Sequence, residues 1–299
     1  MAISLSDIAV LLTALAGSDG LDPRATAETP LQKDVKDYAQ ALRERFSERV
    51  KIGTWNEKSA GKGLRIGLVK EAWEVPTLNA EVAEVVRKAA HRFSSLGAEV
   101  KEISIPLHAS GPAIWTAATR LTSMGDYSLT NRTLPLLSYP MPHLEPPPVN
   151  NDWLETMSTY NPAVPNVLFC SDYLSAKYPP SAAAKAMMHV HQLQAAYDAA
   201  LENLDVLITP SNPTVAPKHP KPHFGVMERI RLAAGNTANL CPFNATGHPA
   251  LSMPAGWASA PTELGKLPVG MQLISRRWDE ETLLFVASVW EFGGRGLDL

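Results

Sequence analysis

Two short apolar runs, residues 250–255 (ALSMPA) and 269–274 (VGMQLI), constrain the fold of this chain more than any other stretch. Each is bounded by Gly or Pro, and runs of this length and composition read as buried strands. They are expected to be neighbours in one sheet, followed by a helix that begins at Asp279. Just ahead of them stands Pro242-Phe243-Asn244-Ala245-Thr246-Gly247-His248-Pro249. Here two prolines and a glycine fix the backbone while Asn, Thr and His offer hydrogen-bonding groups, so the segment reads as a turn able to wall a pocket. Asn244 and Thr246 are its candidate pocket residues.

Upstream the pattern is that of an α/β protein. Residues 64–69 (LRIGLV) read as a buried strand, 80–96 as a helix with Val82, Val85, Val86, Ala89 and Phe93 on one face, and 100–105 as a second strand. A connection this long implies parallel pairing, and Gly97 stops the helix. Residues 113–124 form a further helix carrying Trp115 and Arg120; on composition alone Trp115 reads first as a core side chain. Residues 133–149 are dense in proline and imply an extended loop. Residues 151–178 suggest irregular helices over the sheet, and 181–203 a strong helix with a serine N-cap. Residues 205–209 (DVLIT) read as another buried strand, 227–234 as a short helix, and 279–292 as an amphipathic helix with acidic residues in its first turn.

Composition excludes several classes. With 299 residues, 45% hydrophobic and 19% charged, the chain can bury a sizeable core. A net charge of -3 argues against a polyanion partner such as nucleic acid. Cys170 and Cys241 lie far apart, with no CxxC or Cys/His ligand spacing, which points to reduced thiols in the cytoplasm, no metal and no cofactor. His189 and His191 are two apart, so on a helix they face different directions. The opening apolar stretch has Asp7 and no basic leader; it reads as a helix over 7–16, capped by Ser4 and stopped by Gly17, rather than a signal peptide. No apolar run approaches the roughly 18 residues of a membrane span.

Four segments together carry a resemblance: Ser4-Leu5-Ser6-Asp7 with Ala16-Gly17-Ser18-Asp19-Gly20-Leu21-Asp22-Pro23; GLRIGLVKEAW; YDAAL..LDVLITP; and NT…PFN.TGHPALS.PAG…LPVGMQLI.R.WDE. Their order resembles the later part of the amidase signature hydrolases, which cleave carboxylic amides to acid and amine. The resemblance implies a mixed, mostly parallel sheet flanked by helices, an incomplete amidase signature fold. Residues 1–299 would be the C-terminal part of a single domain, with a variable cap at about 107–180. It also makes Trp115, Asn236, Thr237 and Phe243 pocket candidates, although Asn236 and Thr237 beside Gly235 are equally ordinary helix-terminating chemistry.

In that family a serine attacks the carbonyl, a lysine moves protons through a second serine, and a Gly-rich loop supplies oxyanion donors. The sequence here begins where that signature segment would have just ended, and it contains no Gly-flanked Ser-Ser pair. Ser94-Ser95 sits inside a helical run, and Gly61-Lys62-Gly63 reads as a turn, not a phosphate loop. The expectation is therefore a family polypeptide with no catalytic residue of its own. It would take a small amide ligand, with either a separate chain carrying the catalytic segment or self-association. A non-catalytic amide-binding or scaffold protein and an unrelated α/β ligand-binding protein are the alternatives.

Overall fold

The computed structural model describes residues 2, 4–20, 25–121, 149–233, 236–261 and 265–293. Ser4 opens the first helix, α1 (Leu5–Leu15), its hydroxyl accepting the Asp7 N–H at 3.1 Å. Helix α2 (Tyr38–Lys51), capped by the Asp37 carboxylate, packs beside it. Strand β1 (Arg65–Val69), helix α3 (Ala80–Ser95) and strand β2 (Glu99–Ile103) then form the expected unit, with β1 and β2 parallel. Asn79 caps α3 by accepting the N–H groups of Glu81 and Val82.

Helix α4 (Gly111–Leu121) follows. The proline-rich loop expected over 133–149 lies outside the described residues, except for Val149. The stretch expected to hold irregular helices forms two regular ones, α5 (Asn151–Tyr160) and α6 (Ala163–Lys177). Asn150 caps α5 through the Trp153 N–H. Helix α7 (Pro180–Leu201) starts at a proline, without the serine cap expected for it. Pro180 occupies the first turn, where the missing N–H would have no helical partner anyway.

Strand β3 (Val206–Pro210), helix α8 (Val226–Ala233), helix α9 (Cys241–Thr246), strands β4 (Ala250–Ser259) and β5 (Lys266–Ile274), and helix α10 (Glu280–Phe292) complete the chain. The segment read as a pocket-walling turn is the short helix α9: Pro242 starts it, and Gly247, at φ 74°, ends it in the left-handed conformation glycine favours. Helix α10 begins at Glu280, not at Asp279 as expected, and Asp279 caps it by accepting the Thr282 N–H.

The five strands lie in the order β2-β1-β3-β5-β4. β1 pairs in parallel with both β2 and β3, while β5 runs antiparallel to β3 and β4, so the mixed sheet divides evenly between the two pairings. β4 ends at Ser259 and β5 begins at Lys266, and strands so close in sequence can pair only antiparallel. Alternate side chains build a core on each face. Ile66, Leu68, Val206 and Ile208 pack with α1, α2, α3 and α10 on one side. Val69, Leu207 and Ile274 pack with α4, α7 and α9 on the other. Gly111 allows that second layer to close, since a Cβ there would sit 2.6 Å from Pro242 Cγ. Among the described residues no helix is long and apolar enough to cross a membrane.

Phe93 anchors the first layer and is fully buried. Phe93→Ala is expected to cost about 3–5 kcal/mol through lost burial and a residual cavity. Chemical denaturation measures this, and a loss under about 1 kcal/mol would mean that α3 is not packed as described.

Candidate functional site

β1 and β3 are parallel, so their C-terminal ends reach the same edge of the sheet. There the carbonyl of Ala72, in the 3-10 turn that follows β1, and that of Pro210, the last residue of β3, lie where an unpaired buried carbonyl is costly. The side-chain nitrogen of Asn239 donates to both, at 3.1 and 3.0 Å. Asn239 is itself 0% exposed. Its backbone carbonyl accepts from the Gln272 side-chain amide on β5 at 3.0 Å, and Gln272 also reaches Thr209 Oγ1 at 3.2 Å. One asparagine therefore ties the 236–240 turn to the turn after β1, to β3 and to β5.

Two further groups complete this buried network. His108 Nε2 lies 3.1 Å from Asn239 Oδ1, and His108 Nδ1 lies 2.7 Å from the Tyr197 hydroxyl on α7. Both Asn239 amide hydrogens point at carbonyls, so Oδ1 can only accept. That assigns the His108 proton to Nε2 and makes the Tyr197 hydroxyl the donor to Nδ1. Burial holds the His108 imidazole below its usual titration range, against the opposing pull of the Asn239 bond and the Glu71 charge. Burial also pushes the Glu71 carboxyl up, but the Ser104 hydroxyl at 2.5 Å and the Ile105 N–H at 2.8 Å outweigh it and keep Glu71 ionised.

The clamped turn presents Thr237 to a cleft of about 600 Å³. Trp115 and Arg120 from α4, Tyr160 and Asn161 from the α5–α6 junction, and Arg229 from α8 form the other walls. The Arg120 guanidinium lies over the Trp115 ring, 5.5 Å from its centroid, and the Arg120 carbonyl accepts the buried Ser171 hydroxyl of α6 at 2.9 Å. Arg229 donates to the carbonyls of Phe224, Thr159 and Pro222 at 3.0, 3.2 and 3.3 Å, tying α8 to α5 and the 220s loop. The Cys241 thiol, at the cleft floor, is pushed up to about 11 by burial, so it is not a thiolate nucleophile at neutral pH.

Of the residues singled out from sequence, the structure brings Trp115 and Thr237 together in this cleft. Trp115 is half-buried, not part of the core. Asn236 turns back to donate to the Leu232 carbonyl and ends α8. Phe243 is buried behind the wall against Tyr197, their ring centroids 4.8 Å apart, because α9 turns that face inward. Asn244 is on the exposed face of α9. Thr246 is buried and pairs with His248 Nδ1 at 2.9 Å, while His248 Nε2 reaches Asp198 on α7 at 3.2 Å. Ser94 and Ser95 are exposed at the end of α3, on the opposite face of the sheet from the cleft. Sequence reasoning passed over Asn239, Arg229 and Tyr160. The one signal for Asn239 was a lone amide residue inside an otherwise apolar Ala238–Cys241 run.

Among the described residues no group of three His, Cys, Asp or Glu side chains is placed to hold a metal ion. His189 and His191 point to separate partners, Gln192 and Gln194.

Comparison with known proteins agrees with this architecture. The Amidase family model matches residues 1–284. An enantioselective amidase of Rhodococcus rhodochrous is 30% identical over 298 residues, covering 96% of this chain and 51% of that protein. A subunit of the glutamyl-tRNA(Gln) amidotransferase of a Picosynechococcus species is 30% identical over 291 residues, covering 96% of this chain and 53% of its own length. Among solved structures, a bacterial aryl acylamidase of the amidase signature family shares the fold with a TM-score of 0.60 at 16% identity, covering 97% of this chain and 51% of that one. The chain belongs to the amidase family. It spans about half the length of the curated relatives it matches.

The buried imidazole sets a pH dependence. With its folded-state pKa below the ordinary 6.5, neutral His108 contributes stability that is complete above pH 6.5 and is lost as the pH falls through the folded value. The melting temperature is therefore expected to drop between pH 7.5 and 5.5, and His108→Gln to make that drop shallower. An unchanged slope in the variant would contradict the buried neutral assignment.

Proposed function

We propose that this chain supplies the scaffold and substrate cleft of an amide-hydrolysing enzyme, and that the groups that break the C–N bond belong to a polypeptide segment outside these 299 residues. On this reading residues 1–299 are the later part of one amidase signature domain, with 107–180 as its variable cap. The observation that carries the proposal is the chemistry of the cleft. It is roomy, aromatic and walled by Trp115 and Thr237, yet the described side chains lining it include no serine and no lysine. Its single thiol is protonated at neutral pH. Acyl transfer needs a nucleophile beside its base, with oxyanion donors facing both.

Two further features favour a second chain as the source of those groups. Among the described residues β4 pairs only with β5, leaving one edge open, and Trp257 on that strand is 61% exposed. An unpaired, partly apolar edge favours strand addition or self-association. One relative is named as a subunit of an amidotransferase, which suits an assembly of chains. The free Cys170 and Cys241 suit a reducing compartment such as the cytoplasm.

Assayed alone on simple aryl and aliphatic amides, the purified chain is expected to give no turnover above buffer. Loss of nucleophile, base and oxyanion donors together leaves no source for even the residual rate that damaged triads retain. Turnover that survives Ser94→Ala and Ser95→Ala would refute the proposal. Binding of uncleaved amides by a stable monomer that recruits no second chain would favour the amide-binding or scaffold alternative.

A further inference from the structure

We infer that the cleft selects amides that carry a carboxylate, and that Arg120 is the residue that recognises it. The inference rests on reading the cleft as the amide site, and goes beyond it by assigning the charge of the substrate. The described walls of the cleft contain two arginines and no Asp or Glu. Among the described residues no carboxylate lies within ion-pair distance of either guanidinium.

The two arginines are used differently. Arg229 spends its N–H groups on the carbonyls of Thr159, Pro222 and Phe224, so it braces the wall while leaving its charge in the cleft. Arg120 makes one long contact among the described residues, from Nη1 to Thr119 Oγ1 at 3.4 Å. Among the described residues its other donors have no hydrogen-bond partner. The guanidinium is pre-positioned: the Trp115 face holds it, and the Ser171 hydroxyl fixes its backbone carbonyl. A planar, always-charged fork placed over an aromatic ring, in a half-buried site, is a group that receives a carboxylate through two parallel hydrogen bonds. Trp115 and Tyr160 would flank the apolar part of the same ligand. The loop behind Pro220 adds Lys218, His219, Lys221 and His223, mostly exposed; Glu228 on α8 is occupied by the Gly225 N–H at 2.8 Å.

The test uses the full chain and two probes that differ only in charge, N-benzoylglycine and its uncharged primary amide, with titration calorimetry as the readout. The carboxylate is expected to bind at least tenfold more tightly, a difference of about 1.4 kcal/mol. Arg120→Gln should abolish that preference, the loss falling chiefly on the carboxylate probe; Arg120→Lys, which keeps the charge but not the planar fork, should restore part of it. Circular dichroism and melting confirm that the variants fold. Equal binding of both probes by the native chain would overturn the carboxylate selectivity and leave the amide cleft standing. Binding of neither would overturn both readings. A preference unchanged in Arg120→Gln would show that Arg120 merely packs on Trp115, and hydrolysis of either probe would refute the missing-machinery proposal without touching the selectivity.

Discussion

The structure turns on one buried amide. In the turn that follows β1 and at the last residue of β3, the carbonyls of Ala72 and Pro210 each accept one amide hydrogen from Asn239. Leaving a buried carbonyl unpaired costs about 1–3 kcal/mol. The clamp therefore fixes the 236–240 turn against the sheet far more firmly than the short helix α9 could by packing alone. His108 and Gln272 then satisfy what remains of Asn239, and Tyr197 bonds the far side of His108, linking α7 and β5 to the same point. A buried polar network with every member paired rigidifies its surroundings. In this case the surroundings are a cleft wall.

From that clamp the functional geometry follows outward. Phe243 and Tyr197 fill the space behind the wall. The close approach of Gly111 to Pro242 sets α4 beside α9, which brings Trp115 and Arg120 across from Thr237. The cleft thus combines a rigid inner wall hung from the sheet with an outer wall built by α5, α6 and α8, in which Arg229 ties α8 to α5 and Ser171 ties α6 to α4. Such a division suits an enzyme family in which the binding surface and the bond-breaking groups come from different stretches of chain.

Much of the fold was legible because its signals are local. Strands β1, β3 and β5 are short apolar runs between turn residues, and α3 and α10 carry amphipathic spacing with caps at Asn79 and Asp279. Helix α2 escaped notice because charged side chains fill most of its surface. Helices α5 and α6 were expected only as irregular helices because prolines and aromatics obscured their period, although Asn150 was a readable cap. The site was harder. Trp115 and Thr237 were reached through resemblance, while Phe243 and Thr246 face inward because a short helix replaces the expected turn. Asn239 escaped because its partners, Ala72, Pro210 and His108, are distant in sequence and two of them are backbone groups. No pattern in the chain reports a side chain that serves remote carbonyls.

Hydrogen exchange of the native chain and of Asn239→Ala tests the clamp most directly. If Asn239 holds the cleft wall on the sheet, amides of residues 237–246 should lose protection in the variant while those of β1 and β3 keep theirs. Unchanged protection across 237–246 would show that packing alone holds the wall and that the account built on this side chain is wrong.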